Sequence, residues 1–165
     1  VNVYCIDTSS LIELKIKYPR EVFPTLWEKM EELIQNGRII APIEVKKEIE
    51  KGDDELKKWV RGKKRNRMFI KPDENQVMKV KEILKDFPFL AKPDKPDEPN
   101  ADPWLFAVVL VKIEEEKERL IQYNSYIIVT EESQRKPKKI PAVCKEIGIV
   151  SINLIGLFKE EGWKF

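Results

Sequence analysis

The sequence contains no histidine. That absence removes imidazole-based triads and nearly every zinc site. Cysteine is almost as scarce: Cys5 and Cys144 lack metal-ligand spacing, and each lies in apolar company, where a free thiol behaves as a small buried hydrophobe. No apolar run reaches the length of a membrane span, and no charged-then-apolar leader opens the chain, so a cytoplasmic setting without membrane contact is expected. There is no internal repeat. Net charge is only +2, so any attraction for nucleic acid must be local. Chemistry is left to carboxylates, hydroxyls, amines or a bound metal.

What is present is charge and core in nearly equal measure. Hydrophobic residues make up 42% and charged residues 36% of the 165 positions, which predicts one domain, residues 1–165, with a real core under a heavily charged surface. That much charge also occurs in proteins of heat-adapted organisms.

The stretch Val1 to Ser10 organises the rest. A β-branched apolar run, Val3 to Ile6, stops at Asp7 and three hydroxyl residues. Such a run reads as a strand buried on both faces, and ligands of open α/β sheets gather where strands end. Asp7 therefore reads either as a site residue or as the cap of the next helix.

Helices are expected over Leu11 to Lys17, Pro24 to about Asn36, Pro42 to Gly52, Asp53 to Arg67, and from Asp73 onward with Gln76 completing a capping box and Val77, Val80, Leu84 and Phe87 facing the core. Pro88, Pro93, Pro96 and Pro99 punctuate a loop. The most apolar helix, Trp104 to Val111, follows Asp102-Pro103 and leads to a charged turn at Glu114 to Arg119. Arg38 to Ala41, Tyr126 to Thr130 and Ile149 to Ile152 read as strands. A Lys- and Pro-rich loop precedes a helix at Ile140 to Ile147, and Asn153 to Glu161 closes the chain. This alternation predicts a three-layer α/β/α fold around a mostly parallel sheet with right-handed crossovers.

Glu48, Asp102 and Glu132 share the setting of Asp7: Glu48 lies in the helix right after the second strand, Asp102 at the mouth of the apolar helix, and Glu132 just past the strand ending in Thr130. Four carboxylates on one edge would raise one another's pKa unless a cation neutralised them, and hard divalent ions held by carboxylate, water and substrate phosphate do so. One or two such ions support in-line hydrolysis of a phosphodiester. From Glu55 to Lys71 there are eight Lys or Arg against one Glu, a solvated face or a handle for a phosphate backbone.

Asp7-Thr8-Ser9-Ser10, Glu48 four residues before Gly52, Asp102 at the head of an apolar helix, and Val129-Thr130-Glu131-Glu132 together resemble the PIN-domain pattern. The family's nucleases, VapC-type toxins among them, have a strand-end Asp-Thr/Ser, a helical Glu-x-x-x-Gly, a mid-chain Asp and a Thr-x-Asp. The run Ile140 to Cys144, with Leu157-Phe158 and Gly162-Trp163, further resembles a little-characterised prokaryotic PIN-like subfamily.

The resemblance implies an endoribonuclease using Mg2+ or Mn2+, the toxin of a toxin–antitoxin pair, with single-stranded RNA, an antitoxin protein and a second copy of the chain as partners. Asp7, Glu48, Asp102 and Glu132 would hold metal, and Ser9 and Thr130 would hold carboxylates or a water in place. Lys63, Lys64, Arg65 and Arg67 would contact RNA. Glu132 stands where the family more usually has Asp, leaving Glu131 as an alternative, and Glu44 rivals Glu48 one helical turn earlier. A non-catalytic PIN-like scaffold and a structure-specific DNA nuclease are the other readings.

Overall fold

The computed structural model describes residues 1–52, 54–120 and 124–165. Strand β1 (Asn2–Ile6) is followed by α1 (Thr8–Lys17), α2 (Pro24–Gln35), β2 (Ile39–Pro42), α3 (Ile43–Glu50) and α4 (Asp54–Arg61). A 3₁₀ stretch, Lys63–Met68, enters β3 (Phe69–Ile70), and α5 (Glu74–Asp86) comes next. A second 3₁₀ turn, Pro88–Ala91, begins the proline-rich loop before α6 (Asp102–Glu118). The chain finishes with β4 (Ser125–Val129), α7 (Ile140–Ile147), β5 (Val150–Ile152) and α8 (Leu154–Glu160).

The five strands form one sheet in the order β3-β2-β1-β4-β5, and every pairing is parallel. Parallel sheets need both faces covered, and successive side chains of a strand point to opposite faces. Tyr4 and Ile6 of β1 therefore join Ile39, Ala41, Ile127 and Val129 in a core under α1–α4 and α8. Val3 and Cys5 join Ile40 and Ile128 in a second core under α5, α6 and α7. The expected three-layer architecture is the observed one.

Helix α6 lies deepest. Leu105, Phe106, Ala107, Val108 and Val109 are all buried, so the first half of the helix is apolar around its circumference, as a segment packed on several sides must be, while Lys112 and residues 114–118 give the second half a polar face. It also runs through the expected turn at Glu114. Glutamate and lysine are good helix formers, and Glu114 accepts a 2.7 Å hydrogen bond from Lys79 of α5.

Three further expectations are corrected. The helix expected over Asp53 to Arg67 ends at Arg61, short of Gly62, and the chain tightens into the 3₁₀ stretch that feeds β3 (Asp53 lies outside the described residues). The buried stripe of α5 is Gln76, Val80, Ile83 and Phe87, spaced four, three and four residues, which leaves Val77 at its margin and 37% exposed. Asp73 caps α5 through the Gln76 N–H, but the Gln76 side chain donates to the Lys71 carbonyl, so only half of a capping box forms.

Candidate functional site

Strands β1, β2 and β3 step outward in one direction and β4 and β5 in the other, so the sheet order reverses between β1 and β4. Crevices at such a reversal, beyond the carboxyl ends of the strands, are where open α/β sheets bind ligands. Asp7 leaves β1 there, and Thr130 leaves β4 beside it.

Asp7 is only 4% exposed. Its Oδ1 accepts from the Ser10 N–H at 2.8 Å, so it caps α1. Ser9 Oγ donates to both carboxylate oxygens at 2.9 and 2.8 Å, and Thr130 Oγ1 donates to Oδ2 at 2.5 Å. Capping and membership of the site are thus the same geometry. Burial pushes the Asp7 carboxyl up to about 6, against the pull of those donors, Thr130 first among them.

From this centre the network spreads both ways. Thr8 Oγ1 donates to Glu48 Oε1, and the Ala101 N–H donates to Glu48 Oε2 at 3.2 Å, so Glu48 ties α1 and α3 to the start of α6. Burial raises the Glu48 carboxyl, and the charge of Asp102 adds to the rise. On the other side, the Glu132 N–H donates to Thr130 Oγ1 at 3.1 Å.

Asp102 does not cap its helix. Ala101 holds the capping position, with no side-chain bond, and Asp102 Oδ2 lies 3.3 Å from the Lys92 ammonium. Lys92 projects from the proline-rich loop at a residue with φ 48°. Burial alone would lower its pKa; the charges of Asp102, Glu48 and Glu132 outweigh that and raise it. One ammonium therefore sits in the field of three of the four carboxylates singled out from the sequence.

The two neighbouring glutamates diverge. Glu131 Oε1 accepts from the Leu154 N–H at the head of α8, at 2.8 Å, while its own N–H donates to Ser9 Oγ. Glu132 Oε1 accepts from the Ile140 N–H at the head of α7, at 2.9 Å, and its charge contributes to the field at Lys92. Glu44 is buried, with Oε2 lacking a hydrogen-bond partner among the described residues, and burial raises its carboxyl.

A divalent ion fits this edge in donor chemistry, since every donor is a hard oxygen, and in charge, since Lys92 already brings a cation to the same carboxylates. Among the described residues, however, no three acidic or cysteine side chains are gathered into a ready-made metal cage.

The four cations singled out for RNA lie elsewhere. Lys63, Lys64, Arg65 and Arg67 belong to the stretch that enters β3, at the amino ends of the strands and opposite Asp7. There the Gln35 side chain, at the end of α2, donates to the Lys64 carbonyl at 2.6 Å. Arg65 is 13% exposed in its side chain, 3.0 Å from Glu31, with its guanidinium 5.0 Å from the centre of the Trp59 ring. Arg65→Ala is expected to lower stability by about 1–2 kcal/mol through loss of that ring contact and ion pair, which thermal unfolding checks.

Sequence reasoning did not find Lys92 or the Ala101 N–H. The nearest signal for Lys92 was a lysine within the proline-rich loop that ends at Asp102, and contact order alone does not show that the loop folds back.

The fold and site define a class: an all-parallel α/β protein with a hydrogen-bonded carboxylate network at the switch point of its sheet. Within it, the chain belongs to the family described as Domain of unknown function (DUF4411), whose model matches residues 4–165. Comparison with curated proteins gave no match, and comparison with solved structures gave none either.

Proposed function

We propose that this chain is a metal-dependent endoribonuclease, the toxin of a toxin–antitoxin pair, working at the Asp7–Thr130 crevice. The observation that carries the reading is the hydrogen-bonded network at that crevice, in which Thr130 joins Asp7 to the Glu132 N–H, Thr8 and the Ala101 N–H hold Glu48, and the Lys92 ammonium lies in the field of Glu48, Asp102 and Glu132. Resemblance to PIN-domain toxins supplies RNA as substrate and an antitoxin as partner.

Asp7, Glu48, Asp102 and Glu132 would hold Mg2+ or Mn2+. When bound, the ion supplies an activated water and stabilises the leaving oxygen. Ser9 and Thr130 fix both oxygens of Asp7, so that carboxylate is oriented before substrate arrives. Thr8 and Ala101 do the same for Glu48. Such pre-organisation removes reorganisation from the chemical step.

The test is cleavage of labelled single-stranded RNA with manganese by the wild type, Asp7→Asn and Asp102→Asn. Cutting by the wild type alone supports the reading. Equal cutting by all three removes these residues from the chemistry.

A non-catalytic scaffold is the second reading, favoured by Lys92 balancing Asp102 and by Glu131 and Glu132 each receiving a helix-head N–H. Such a site is satisfied without metal. A thermal shift with manganese separates the readings, because an ion that binds only the folded state stabilises it.

Lys92 gives a sharper expectation. Lys92→Gln removes a charge that competes with a metal ion, so manganese affinity measured by calorimetry should rise about tenfold, equivalent to roughly 1.4 kcal/mol. Unchanged or weaker binding would show that the ammonium does not compete.

A further inference from the structure

The cations expected to steer RNA sit at the wrong end of the sheet, yet the carboxylate edge has its own basic segment. The chain leaves β4 at Thr130 and does not resume regular structure until Ile140. Between them, Arg135, Lys136, Lys138 and Lys139 place four cations in five residues, interrupted only by Pro137. All four are exposed. Among the described residues none of them forms an ion pair.

This loop is fastened to the site at its base. Glu132, whose backbone bonds to Thr130, closes the loop by accepting from the Ile140 N–H across eight residues. Just inside that closure the Arg135 N–H donates to Ser133 Oγ at 3.2 Å. Fixing the base holds the four charges near the switch point, because a loop of this length cannot carry them to the far end of the sheet. On the other side of the carboxylates lies the proline-rich loop, where a cavity of about 330 Å³ is lined by Glu48, Lys92, Lys95 and Asn100 among others.

An edge built from four carboxylates repels a polyanion. A nucleic-acid strand reaches it only if positive charge nearby outweighs that repulsion, and phosphate contacts from Lys and Arg supply most non-specific affinity. The 63–67 stretch fails on position, and its Arg65 is already engaged with Glu31 and Trp59. The 135–139 loop meets the requirement on position, charge and exposure together.

We propose that the 135–139 loop is the phosphate-backbone contact that delivers single-stranded RNA to the carboxylate edge. The proposal rests on the nuclease reading for its substrate, but its test does not depend on cleavage.

The probe is fluorescein-labelled oligouridylate, titrated in EDTA over a range of salt concentrations, with wild type and two charge-neutralised variants. One carries R135Q, K136Q, K138Q and K139Q; the other carries K63Q, K64Q and R67Q. Each phosphate contact on a single strand adds about 0.7 to the slope of log affinity against log salt, so the first variant should lose about 3 from the slope and about 100-fold in affinity at low salt. The second should stay within roughly threefold of wild type.

Loss confined to the 63–67 variant overturns the proposal, as does a 135–139 variant that binds like wild type. A wild type that does not bind the oligonucleotide overturns it too. Because all four substituted residues are exposed, unfolding of the first variant is not expected, and its melting curve checks that. Cleavage with manganese is scored separately. An inactive wild type that still binds through the 135–139 loop would sink the nuclease reading alone, and an active one that binds independently of the loop would sink only the loop.

Discussion

Asp7→Asn should raise the melting temperature of the protein at pH 7.5 and, on the proposed nuclease reading, abolish RNA cleavage. Asp7 is buried, and its carboxyl is pushed from 3.8 up to about 6. Holding it ionised at neutral pH therefore costs roughly 3 kcal/mol relative to the unfolded chain.

The sign follows from proton binding. Below pH 3.8 the group is protonated in both states and carries no penalty. As pH rises toward about 6, the unfolded chain ionises first, the folded state holds more protons, and stability falls; above about 6 the loss is complete. Asparagine removes that loss but returns part of the gain, because an amide accepts fewer hydrogen bonds than the carboxylate that now receives Ser9, Ser10 and Thr130.

A net stabilisation of about 1–2 kcal/mol should remain, or roughly 5 °C in a chain of this size. Urea unfolding between pH 4.5 and 7.5 should show stability declining with pH in the wild type and much less decline in the variant. A variant less stable at pH 7.5, with the wild-type slope intact, would mean that Asp7 carries no desolvation penalty.

The same residue shows how far sequence reaches. Val3 to Ile6 ending at Asp7 was legible because a doubly buried strand has a signature, an unbroken β-branched run, that survives without knowledge of its neighbours. The strands at Ile39 and Ser125 and the proline and glycine stops around α2 were legible for similar local reasons. Strand β3 was not, since two residues offer no period to detect, and its pairing with Ala41 and Pro42 is a tertiary fact. The reach of α6 to Glu118 was hidden because charge density there resembles a turn until Lys79 on α5 is placed beside Glu114.

The order of Asp7, Glu48, Asp102 and Glu132 could be read, and so could Ser9 and Thr130, but Thr8, which donates to Glu48, was not singled out. What could not be read is direction. The way Glu131 and Glu132 diverge depends on which helix head each one meets, Leu154 or Ile140, and those N–H groups are 23 and 8 residues further on. The position of the basic run at 63–67 was hidden for a related reason: charge density is visible in sequence, but the end of the sheet on which it lands is set by strand direction.

Phe106→Ala should produce the largest loss of stability of any change considered. Phe106 is 0% exposed, on the buried first half of α6, and it lies in the core between the sheet and α5. Removing an aromatic ring from such a position costs about 3–5 kcal/mol, the lost transfer energy plus the cavity left behind. At roughly 2–4 °C per kcal/mol for a chain of this length, melting should fall by about 10 °C. Met78→Ala on α5, at a residue 62% exposed, should change stability by less than about 0.5 kcal/mol and serves as the control.

The consequence reaches the site, because Phe106 stands one helical turn beyond Asp102 and five residues after Ala101, whose N–H holds Glu48. If the edge binds manganese as proposed and the core fixes the head of α6, the variant should lose manganese affinity even well below its melting temperature. If manganese affinity is kept while stability falls, Glu48 and Asp102 are held by Thr8 and Lys92 alone, and the edge is independent of the core beneath it.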